Sequence, residues 1–211
     1  RNELNISHGQ FGTIYASATI CSSLLLIWVG KKIDEYQIFY YSFFVIILLF
    51  LSSLFFSFIN SIYLLAVGIF LMRFSGQGLM SHTSTTTISR FFEKSRGKAL
   101  STIWFGLSSA EFILPVFVTY FFVIYSWRTV WQGIAIIIIL FLPLVILNTI
   151  RTVKLDSREK NQNPKINLKI KSWQRIEVIK DFRFYIVSLN MLAMPWVATG
   201  VFVYQSFITE S

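Results

Sequence analysis

Six apolar stretches, residues 11–29, 38–58, 61–88, 99–125, 129–150 and 184–208, occupy most of this chain. A helix rises about 1.5 Å per residue and a hydrocarbon core is about 30 Å thick, so about 20 apolar residues cross it. The shortest stretch here has 19 residues. The expected fold is therefore all-α, a polytopic transmembrane helical bundle. Of the 29 charged side chains, only Arg73 and Glu111 fall inside the six stretches.

A hydrophobic share of 55% with 18% aromatic residues excludes an ordinary soluble domain. The net charge of +9 would suggest nucleic acid in a soluble protein, but its distribution encodes topology instead. Joints after the first, third and fifth stretches hold 16 of the 19 basic residues: Lys31 and Lys32, then Arg90, Lys94, Arg96 and Lys98, then ten between Arg151 and Arg183. Only Arg1 and Arg128 lie on the opposite side. The positive-inside rule makes the first side cytoplasmic and puts residues 1 and 211 outside, as expected for a multi-pass protein of the inner (plasma) membrane. The single cysteine, Cys21, lies in the first stretch and is expected to pack as a small residue. No signal peptide is read before the first stretch. A start at Arg1 and an end at Ser211 directly after a span lead us to expect an internal piece of a longer protein.

Five spans follow one another through short joints, so residues 1–150 are expected to form one bundle, 151–183 a cytoplasmic loop, and 184–211 the first helix of a second bundle. Within the loop, Ile166, Ile170, Trp173 and Ile176 recur at helical spacing among lysines, the pattern of a helix lying on a membrane surface. A solvated tether fits the same residues. Gly12 with Ala16, and Gly106 with Ala110, have the spacing of close helix packing. Pro115 and Pro195 are expected to bend their spans.

Arg73 and Glu111 both lie near the midplane. A charge at that depth costs at least about 2.5–3.5 kcal/mol and should face a partner, a bundle interior or water. Two readings follow: Arg73 as an anion site with Glu111 as a proton or cation carrier, or a structural pair neutralising each other. Gln77 follows Arg73 on the same helical face, with Met80, Ser84 and Thr87 beyond it. His82, nine residues on, is placed on the opposite side, either as a pH-responsive group or as a histidine bonded to a neighbouring hydroxyl. His82, Ser84 and, in the sixth stretch, Asn190 are further candidates for the pathway. The chain has no HExxH, Gly-rich phosphate loop or nucleophile elbow, so neither an enzyme nor a cofactor or metal is expected.

In the first joint, Gly30-Lys31-Lys32-Ile33-Asp34 resembles the glycine-to-aspartate signature of the major facilitator superfamily of secondary transporters, with Glu35 and Gln37 where the family usually has a basic residue and a glycine. Arg73-Phe74-Ser75-Gly76-Gln77-Gly78 resembles the arginine–glycine motif of its fourth helix, and Arg96-Gly97-Lys98-Ala99 the start of its fifth. Gly106 through Glu111 to Pro115, and Trp127-Arg128, are similar to the fifth helix and the joint after it. The resemblance implies that the six spans correspond to family helices two to seven, in the monocarboxylate-like bacterial branch. It further implies a conformational latch of Gly30, Asp34 and Arg96, and alternating access for a small solute. Arg73 points to an organic anion, because guanidinium can hold a carboxylate bidentately. The expected partners are the lipid bilayer, a small-molecule substrate and protons, with no nucleic acid. A membrane-embedded receptor or enzyme without a recognisable motif is the alternative.

Overall fold

The computed structural model describes residues 6–92, 95–160 and 175–210. Two compact units emerge, residues 1–161 and 162–211, and each is described by itself. The first contains α1 (His8–Val29), a 3-10 turn (Gly30–Asp34), α2 (Ile38–Phe56), α3 (Ile62–Met72), a π-helical segment (Arg73–Met80), α4 (Ser81–Phe91), α5 (Arg96–Ile124) and α6 (Trp127–Lys160). From α3 to α4 the backbone is one unbroken helix of 30 residues, Ile62–Phe91. The second unit holds α7 (Arg175–Lys180) and α8 (Phe182–Glu210). Among the described residues there is no strand, and five helices are long and apolar enough to cross a membrane. Only the first part of α8, Phe182–Ala193, enters that comparison. The fold is an all-α polytopic bundle.

Helix ends depart from the apolar stretches for local reasons. α1 starts at His8 because Ser7 and Gln10 form a reciprocal capping box: Ser7 Oγ accepts from the Gln10 amide at 3.2 Å, and Gln10 Oε1 from the Ser7 amide at 3.0 Å. α3 starts behind Ser61, whose hydroxyl accepts from the Leu64 amide at 3.3 Å. α6 runs ten residues past Ile150, to Lys160. Pro115 and Pro143 lie inside α5 and α6, and neither ends its helix. The surface helix expected around Ile166, Ile170 and Trp173 lies outside the described residues, whereas Ile176 belongs to α7.

Inside the first unit, α1 packs on α3 and the π segment, and α2 packs on α3, the π segment and α6. Lipid tails are as apolar as leucine, so such contacts depend on close packing and hydrogen bonds rather than on escape from water. Besides Ile33, Val45, Ile46 and Leu79, the most completely buried residues include several small ones. Ser52, Ser53, Ser57, Ser75 and Ala135 are almost completely enclosed, while Phe44, Phe105, Phe112 and Leu140 lie exposed. Ser75 Oγ lies 3.1 Å from Ser52 Oγ and 2.7 Å from the Leu71 carbonyl, joining α2 to the π segment. The closest approach is at Gly68, where a Cβ would lie 2.6 Å from Ile59 Cδ1. Gly12 and Gly106, in contrast, face open space. α1 packs instead through the stripe Tyr15, Ala18, Ser22 and Leu26, spaced three and four residues apart, with Ala18 and Ser22 buried.

Candidate functional site

Arg73 is the first residue of the π segment, in the sequence Arg-Phe-Ser-Gly-Gln-Gly-Leu-Met. Two glycines lower α-helix propensity by roughly 1 kcal/mol each, and π segments inside α-helices recur at functional sites. The guanidinium is half-buried, and its carbon stands 4.1 Å from the centre of the Tyr15 ring on α1. Such a contact attracts the charge to the negative face of the ring without neutralising it. Among the described residues no carboxylate pairs with Arg73. Gln77 is exposed one turn further along.

Glu111 lies exposed on α5, a helix that buries none of its residues within the described part. The structure does not bring it against Arg73, so the structural pair considered from the sequence is not formed. Ser84 is half-buried on α4. Asn190 belongs to the second unit, where its amide donates to the Ile186 carbonyl one turn earlier at 2.9 Å.

At the basic end, the joint after α1 is clamped by side chains from two other helices. The last carbonyls of a helix have no partner within it. Here the Tyr41 hydroxyl, from α2, donates to the Val29 carbonyl at 3.2 Å. His82 Nε2, from α4, donates to the Gly30 carbonyl at 3.1 Å, which places the proton of a neutral ring on Nε2. Eight residues on, Arg90 donates to the Ile33 carbonyl at 3.3 Å and makes an ion pair with Asp34. His82 thus binds the joint rather than a hydroxyl neighbour.

Gly30 has an ordinary right-handed helical backbone, φ −59° and ψ −36°. Its value lies in proximity, since a Cβ there would come within 3.3 Å of the His82 ring. Arg96 does not reach Asp34; its guanidinium donates to the Ser89 carbonyl at 3.1 Å. Asp34 is therefore held by Arg90. Sequence reasoning counted Arg90 only as a topological charge, and it passed over Tyr15 and Tyr41. The periodic stripe through Tyr15, Ala18 and Ser22 was the available signal for the first of these.

A mid-span arginine that pairs with no carboxylate among the described residues and a joint held across three helices describe an apolar bundle with polar ties inside it. The sequence matches the family model of the Major Facilitator Superfamily over residues 1–210. The chain belongs to this superfamily. It is accordingly an integral, multi-pass membrane protein of a family of secondary transporters for small solutes, not of enzymes. No curated protein and no solved structure shows a significant match. In this Major Facilitator Superfamily protein, the motifs around Gly30 and Arg73 fall on the clamped joint and the π segment.

Proposed function

We propose that this superfamily transporter moves a small organic anion by alternating access, with Arg73 as the anion-binding group. The carrying observation is that Arg73 sits mid-span on the Tyr15 ring with no carboxylate contact among the described residues. An aromatic face leaves the guanidinium N–H groups free for a bidentate acceptor. Gln77 supplies a neutral polar group beside it, and His82 and Ser84 extend polarity toward the basic end. Glu111, exposed and without an ion pair among the described residues, is the proposed proton carrier.

In this reading the basic end is cytoplasmic, both chain ends lie outside, and the protein resides in the inner (plasma) membrane. The six helices take the places of family helices two to seven, in the monocarboxylate-like bacterial branch. Gly30 and Asp34 form a latch with Arg90, and Arg96 stands next to it on the Ser89 carbonyl. Two bundles rocking around a midplane site would make and break that latch.

Uptake of radiolabelled short monocarboxylates into proteoliposomes tests the proposal. Saturable uptake that is lost in Arg73→Gln and partly kept in Arg73→Lys is expected. Equal uptake by wild type and Arg73→Gln would refute the anion-site role.

A further inference from the structure

A second cluster of donors lies at the basic end, away from Arg73. Thr85, Thr86, Ser89 and Arg90 project from one face of α4, and Arg96, the first residue of α5, closes the other side of a cleft of about 480 Å³. That volume lies within the range of small-molecule sites. Among the described residues no carboxylate lines it. Thr85 spends its proton on the Ser81 carbonyl at 2.8 Å, whereas the hydroxyls of Thr86 and Ser89 make no hydrogen bond among the described residues.

The start of α5 adds further donors. Ser95 places no side-chain cap on the first turn, and that turn carries no acidic residue. Among the described residues no side chain caps the amides of Arg96, Gly97 and Lys98, at the positive end of a 29-residue helix. Space around Gly97 is open. Two guanidinium groups, two free hydroxyls and a helix N-terminus suit the several oxygens of a tetrahedral anion better than a flat carboxylate.

We propose that the cleft between α4 and the start of α5 binds a phosphate group through Arg96, Arg90, Thr86 and Ser89. Arg90 is shared with Asp34, so the bound phosphate competes for it and loosens the joint. The phosphate has two possible sources, an anionic lipid headgroup or a free cytosolic phosphate.

The test uses the purified protein in neutral detergent, titrated with dioctanoyl phosphatidic acid followed by native mass spectrometry, and with inorganic phosphate followed by calorimetry. Saturable binding of at least one probe is expected. Arg96→Gln should weaken it about tenfold, the loss of one charge-assisted contact. Lys98→Gln removes the same charge from outside the cleft and should weaken it less than about threefold. Phosphatidic acid binding that inorganic phosphate does not displace identifies a headgroup site, and displacement identifies a site for free phosphate. The paired variant Thr86→Val/Ser89→Ala, which keeps every charge, should also lose affinity and decides the matter if Arg96→Gln fails to fold. Absence of saturable binding, equal losses in Arg96→Gln and Lys98→Gln, or unchanged binding in the hydroxyl variant would each overturn the proposal.

Discussion

Arg73 rests its charge on an aromatic face, and that choice of partner decides what its variants do. A cation over a ring contributes about 0.5–2 kcal/mol, more when desolvated. Tyr15→Phe keeps the ring and should leave thermal stability in detergent nearly unchanged, while Tyr15→Leu should cost about 1 kcal/mol. Because Arg73 and Glu111 make no ion pair, their effects on stability should add. Arg73→Gln with Glu111→Gln is expected to equal the sum of the single variants within about 0.5 kcal/mol, and recovery in the double variant would restore the structural pair. Both charges were legible in the sequence as the only ones inside the apolar stretches. The partner of Arg73 was not, because a ring on a distant helix leaves no mark beside the arginine. Asp34 illustrates the same limit: its place in the joint could be read, but its partner Arg90 lies 56 residues away and is chosen by how α4 packs. Asp34→Asn and Arg90→Gln should each slow uptake while substrate binding changes less. Normal uptake rates in both would remove the latch role.

Among elements, the helix from Ile62 to Phe91 carries most of the contacts that matter. Its Gly68 is needed for space, since an added Cβ would meet Ile59 Cδ1 at 2.6 Å and the Phe56 ring at 3.1 Å. Gly68→Ala should destabilise the bundle by about 1–3 kcal/mol, and adding Ile59→Val, which removes that methyl, should recover part of the loss in thermal unfolding. The π segment sets the angular offset between Arg73 above and His82 below. Deleting one residue from it, Gly76, would rotate one half against the other by about 100°. Such a variant cannot keep both Arg73 over Tyr15 and His82 on Gly30, so uptake should fall even if the protein inserts. Apolar length located five spans within a few residues, and the helix ends depart from it at polar caps such as Ser7 with Gln10 and at α6, which runs on to Lys160. The π segment was invisible to a periodicity argument that assumes 3.6 residues per turn throughout. For the same reason, spacing alone could not settle on which side His82 would lie.

At the scale of the whole molecule, the asymmetry of basic residues carries the proposed orientation. In a Cys21→Ser background, a cysteine introduced at Lys160 should resist a membrane-impermeant thiol reagent applied from outside intact cells, and labelling there would reverse the topology. In the proposed alternating access the clamped joint opens and closes, and its ties differ in kind. Tyr41 on Val29 and His82 on Gly30 are bonds to carbonyls, whereas Arg90 and Asp34 are opposite charges with side chains 36% and 64% exposed. Added electrolyte shortens the reach of that attraction, from about 10 Å at 0.1 M to about 3 Å at 1 M. Ionic strength should therefore act as a partial release, weakening one tie and leaving the carbonyl bonds in place. The exchange rate between conformations would then rise with salt and level off, and the plateau would measure what the two uncharged ties hold by themselves.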